Sequence, residues 1–106
     1  MNKARDYTYR IFWSQDDGEW LATAAEFPLL SYLDKDYLAA AQGIVDVVEG
    51  ALEILREEGR DAPCPFMHRK YSGKYALRMT PEQHARVALE AAEQGVSINQ
   101  LLVSRI

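Results

Sequence analysis

"GKYALRM", residues 73–79, alternates with a period of two: Lys74, Ala76 and Arg78 fall on one face, Tyr75, Leu77 and Met79 on the other. That period belongs to a β-strand, and a strand's backbone N–H and C=O groups need a ladder partner. None is at hand: the Pro-rich stretch "APCP" lies upstream, and downstream there is only helical sequence. Residues 73–106 are also too few to bury a stable core alone. Two copies meet both needs. Their strands pair antiparallel across a two-fold axis, and the Tyr75/Leu77/Met79 faces pack on the helices that follow. Lys74, Ala76 and Arg78 then point outward on a two-stranded ribbon, which fits the major groove of B-DNA.

The helices behind the strand carry explicit start and stop signals. In "TPEQHARVALEAAEQG", Thr80 is a good N-cap, Pro81 suits the first helical position, and Gln83 completes a capping box. Gly95 ends this helix, and "VSINQLLVSRI" opens the next with Ser97 as N-cap and Gln100 three residues on. Val87, Ala88, Ala91 and Ala92 form the inner face of the first helix, and Ile98, Leu101, Leu102 and Ile106 that of the second. Tyr75, Leu77, Met79, Leu101 and Leu102 are thus the expected dimer core. The start of the second helix, with Ser97 and Asn99, offers N–H groups to a backbone phosphate. An exposed strand bearing Lys and Arg is also common on ordinary sheet edges. The two capped helices directly behind this one favour the DNA reading.

Upstream the pattern changes. "YTYRIFW" and "WLATAAEF" read as strands flanking Asp17-Gly18, a type I′ hairpin signal, with Pro28 ending the second. "LLSYL", residues 29–33, reads as a third strand. From Asp36 to Glu58 a helix is expected, with Ala41, Ile44, Val48, Ala51, Leu52 and Leu55 on one side and a flanking stripe of Ala40, Val47 and Ile54. Gly43 and Gly50 inside it predict close packing. Gly59 and "RDAPCP" stop the helix, and Pro63 and Pro65 begin an extended linker. The expected class is α+β: an antiparallel β-β-β-α domain over residues 1–62, a linker over 63–72, and a β-α-α module over 73–106.

Charge separates the two domains. Residues 1–62 hold six Lys/Arg against thirteen Asp/Glu, and residues 63–106 six against three, within a net charge of −4. An acidic body with a basic tail predicts two different partners. The lone Cys64 makes no intrachain disulfide and no zinc motif, and His68 and His84 have no evident partner. No Ser/His/Asp, Cys/His or metal-ligand spacing occurs. A non-enzyme without metal or cofactor is expected. With no leader-like segment and no span-length apolar run, a cytoplasmic location follows, with no membrane role.

"SGKYALRMTPEQHARVALEAAEQGVSINQLLVSRI" resembles the ribbon-helix-helix tail of HicB-like antitoxins: a basic strand, a proline-led helix, a Gly-Val-Ser turn and an Asn-Gln-Leu helix start. "YTYRIFWSQDDGEWLATAAEFP" resembles the same family's N-terminal signature, and "LREEGRDAPCP" its helix-to-linker boundary. The stretch "LSYLDKDYLAAA" departs from the family's Gly-x-Thr pattern. The resemblance implies a partial ribonuclease-H-like domain that binds a small, mRNA-cleaving HicA-type toxin. It also implies a ribbon-helix-helix tail that represses the operon by binding operator DNA as a homodimer or higher even oligomer, with Lys74, Ala76 and Arg78 reading bases. An RNA-cleaving toxin should be basic, so the acids Asp16, Asp17, Glu19, Glu26, Asp34 and Asp36 are the candidate toxin contacts. The alternative is a stand-alone ribbon-helix-helix regulator whose first domain senses a ligand or only oligomerises. A metal-dependent nuclease is a more distant third.

Overall fold

The aromatic and β-branched runs around Asp17-Gly18 pair as expected, and the computed structural model, which describes residues 2–106, extends them into a three-stranded antiparallel sheet. Strands β1 (Tyr9–Ser14), β2 (Glu19–Ala24) and β3 (Phe27–Asp34) lie in that order. Tyr9 faces Ala24 and Ser14 faces Glu19 across the first pair. The loop between them is not the expected type I′ turn. It spans Gln15 to Gly18, Gly18 alone has positive φ (64°), and its N–H donates to the Ser14 carbonyl at 2.9 Å. A type I′ turn would force Asp17 into the left-handed region; two further loop residues remove that need.

The second reversal comes earlier than Pro28. The chain turns at Ala25 and Glu26, so Pro28 sits inside β3. β3 is an edge strand, and the register slips there: Thr23 pairs with Ser31 but Ala24 with Phe27. A proline without an N–H is tolerated at such a slip. Leu29, carried outward on it, is 96% exposed.

Helix α1 (Tyr37–Glu57) begins where the Asp36 carboxylate accepts the Ala39 N–H at 2.8 Å. It covers one face of the sheet. Ala40, Ile44, Val48 and Leu52 are buried at helical spacing against Tyr9, Ile11, Ala22 and Ala24. Ala40, expected on a flank, is therefore core, whereas Ile54 faces solvent. Of the two glycines, only Gly43 is closely packed: a Cβ there would lie 2.1 Å from Cε2 of Tyr32, while Gly50 has nothing within 4 Å. The helix ends in a Schellman motif, with Gly59 at φ 66° and the Arg60 N–H donating to the Leu55 carbonyl at 2.8 Å.

The stretch expected to be a free linker from residue 63 instead continues the first unit, which runs to Tyr71. Tyr7 Oη donates to the Pro63 carbonyl at 2.7 Å, Pro65 is fully buried, and Phe66–His68 form a 3-10 turn. Proline limits the backbone but buries a ring and keeps a carbonyl acceptor, and both are used here.

The second unit, Ser72–Ile106, contains α2 (Pro81–Gln94) and α3 (Ile98–Ser104). Both expected capping boxes form: the Thr80 hydroxyl accepts the Gln83 N–H at 3.2 Å, and the Ser97 hydroxyl that of Gln100 at 3.0 Å. Gly95 turns left-handed at φ 70°, and Val96 N–H bonds the Ala91 carbonyl. Glu90 and Arg105 pair between the helices. Ala91 and Leu101 are this unit's buried side chains; Ala92, expected inside, is exposed. Among the described residues no helix is long and apolar enough to cross a membrane.

Candidate functional site

Residues 74–79 lie without a ladder partner in the single chain. Gly73 takes a positive φ of 82°, and the Lys74 N–H donates to Ser72 Oγ at 3.1 Å. Tyr75 is 90% exposed and Leu77 60%, so both leave apolar area open to burial by a partner. They line an open groove with Met79, Ile98, Leu102 and Val103. Leu101 is buried and Leu102 half-buried, so of the expected dimer-core residues only these and Met79 have cover within the chain. Lys74, Ala76, Arg78 and Asn99 are exposed. Ser97 is committed to starting α3: its N–H donates to Gln100 Oε1 at 2.9 Å and its hydroxyl oxygen accepts in return.

In the first unit, pairing gathers most of the acids at one end of the sheet. Ser14 faces Glu19, and Trp20 faces Asp34. The loop carrying Asp16 and Asp17 therefore lies beside the turn carrying Asp34 and Asp36. Three of these acids also have local work. Asp17 accepts from Ser14 Oγ at 2.7 Å, Asp34 from the Asp36 N–H at 2.8 Å, and Asp36 caps α1.

Glu26 does not join them. It sits at the opposite end of β2, 8% exposed, with its carboxylate turned inward. It accepts the Thr8 N–H at 2.9 Å, the Thr8 hydroxyl at 3.1 Å and the Phe66 N–H at 2.9 Å. Burial pushes its pKa up, but the N–H donors of Phe66 and Thr8 outweigh that and hold it below the ordinary glutamate range. Its expected place among the toxin contacts is corrected accordingly: Glu26 is an internal anchor, because the reversal at Ala25 tucks it between β1 and residues 63–69.

The acidic end holds a feature the charge pattern did not reveal. Trp13 and Trp20 meet edge to face at 5.4 Å between ring centroids, and Trp20 and Tyr37 at 5.0 Å. The legible signal was symmetry: each tryptophan stands one place outside the Ser14/Glu19 pair that closes the hairpin.

Comparison with known proteins finds a likeness over part of the chain. Residues 56–106 match the HicB family. The HicB-like stretch takes in the end of α1, the proline segment, the alternating run, and both capped helices. No curated protein and no solved structure matches the chain significantly.

Proposed function

We propose that the chain is a HicB-type antitoxin that works by binding and not by catalysis. The first unit binds and neutralises a small, basic, mRNA-cleaving HicA-type toxin, and the second represses the operon as a ribbon-helix-helix dimer on operator DNA. The observation that carries this reading is the HicB match over residues 56–106, which includes the whole alternating run and both helices.

Physical chemistry supports each half. A second copy would cover Tyr75 and Leu77 and give residues 74–79 their ladder; Lys74 and Arg78 would then face a groove lined with guanine acceptors. The acids gathered at one end of the sheet complement a partner built to hold RNA.

The test is co-expression with the neighbouring open reading frame. Stable copurification of a small basic protein, relief of its growth arrest, and binding of the dimer to the operon's own promoter are expected. Failure to capture or neutralise that product would overturn the antitoxin reading. A second reading, a ribbon-helix-helix regulator whose first unit senses a ligand or only oligomerises, draws on one fact: the match leaves residues 1–55 uncovered. Promoter binding without any captured protein would favour it.

A further inference from the structure

We propose that the aromatic ladder Trp13–Trp20–Tyr37 is the anchor point of the first unit's partner surface, and that it receives an arginine side chain presented by a basic protein. The inference rests on the first unit being the partner-binding half and names the chemistry of that contact.

Three observations carry it. The ladder is incompletely buried: Trp13 and Tyr37 are each 46% exposed although they stack on Trp20, which itself packs into the core with Ala22 and Ile44. A fixed cluster of half-open aromatic rings is what interface hot spots are made of, because the rings are already ordered and bury large area on contact.

The rim of this patch is negative. Asp34 is the direct cross-strand neighbour of Trp20, Asp36 immediately precedes Tyr37, and Asp16 and Asp17 extend from the adjacent loop, with Lys35 the single cation in those two turns. Among the described residues no three of these carboxylates lie close enough to hold a metal ion. The charge is spread around rings, which suits a flat, extended cation and not a point ion.

Guanidinium meets both demands. It stacks on an aromatic face while its edge N–H groups reach carboxylates, whereas an ammonium group does only the second well. The chain uses the stacking half of this chemistry internally, with the Arg69 guanidinium 3.9 Å from the Phe66 ring centroid and Arg10 5.0 Å from that of Phe12.

Both tryptophans of the chain belong to the ladder, so intrinsic fluorescence reports on this surface alone. Titration of the full chain with nona-arginine should change tryptophan emission saturably, nona-lysine should bind more weakly, and nona-glutamate not at all. Tyr37→Leu keeps apolar bulk but removes a π face, and should weaken the nona-arginine affinity roughly three- to tenfold. Asp34→Asn combined with Asp16→Asn should weaken it and flatten its salt dependence. Circular dichroism confirms that each variant is folded. Unchanged emission, equal binding of the lysine peptide, or unchanged affinity in Tyr37→Leu would overturn the proposal. The neighbouring gene's product separates this from the antitoxin reading. If it binds Tyr37→Leu as tightly as the parent chain, the ladder proposal fails while the antitoxin reading stands. If the peptide results hold and no such product binds, the antitoxin reading fails and the ladder proposal stands.

Discussion

The carboxylate of Glu26 accepts the backbone N–H of Phe66 at 2.9 Å, joining positions forty residues apart. Because the same carboxylate also holds the N–H and hydroxyl of Thr8, one side chain ties β1, the β2–β3 reversal and the proline segment together.

Replacing Glu26 with Ala leaves two backbone N–H groups without their acceptor, and should cost roughly 2–4 kcal/mol. Glu26→Gln keeps one acceptor oxygen but loses the charge, and should cost about 1–2 kcal/mol. Urea denaturation followed by tryptophan emission measures both. The pH dependence has a definite sign. The folded-state pKa of Glu26 is depressed, so its contribution is present above the unfolded glutamate value and is lost as pH falls through the folded one. The urea midpoint should therefore drop on acidification in the parent chain, and drop less in Glu26→Gln. At the alkaline end Tyr9, pushed up to about 12 by burial and then by the charge of Glu26, acts in the opposite sense. Its contribution is full below the unfolded tyrosine value and fades as pH climbs toward 12.

Gly43 and Gly50 both stand inside α1, yet substitution should have opposite effects. Gly43→Ala drives a methyl group into the Tyr32 ring and should destabilise by about 1–3 kcal/mol despite the better helix propensity. Gly50→Ala meets nothing within 4 Å and should stabilise by roughly 0.5–1 kcal/mol. Thermal denaturation of the two variants side by side checks the pair.

Leu77→Asp places a charge on the face proposed to meet a second copy. Sedimentation equilibrium should show the dimer dissociating, while the thermal transition of the first unit stays within about 0.5 kcal/mol of the parent's. A variant that remains dimeric would remove the ribbon from the proposed function.

Arg78→Ala should weaken promoter binding by roughly 1–3 kcal/mol and relax base preference at one position per half-site, as read by gel shift across a set of point-mutated promoters. Affinity of the parent chain should fall steeply with salt. Unaltered promoter affinity in Arg78→Ala would exclude this side chain from base contact.

Local chemistry was the most legible part of the sequence. Thr80/Gln83, Ser97/Gln100, Gly59 and Gly95 announce helix ends through bonds made within a few residues, and all four form as read. The strand-forming runs on either side of Asp17-Gly18 likewise give the hairpin, which closes at the Ser14/Glu19 pair. What escaped depends on residues far apart in the chain. Glu26 reads as one more surface acid until Phe66 N–H reaches it, and Ala40 reads as a flank until the sheet turns beneath it. Pro63 and Pro65 read as a spacer because proline composition reports stiffness and not what the ring rests against. The aromatic ladder was hidden for a similar reason: Tyr37 joins Trp20 only once β3 has brought Asp34 alongside.

The slip in β3 also governs what the sheet will not do. Pro28 offers no N–H, and the register breaks between Thr23 and Ala24, so the outer border from Phe27 to Leu30 is a poor template for a strand from another molecule. Only the short run from Ser31 to Asp34 remains regular there. A strand arriving from another molecule would find no continuous ladder over residues 27–30, which makes sheet growth along this border unfavourable.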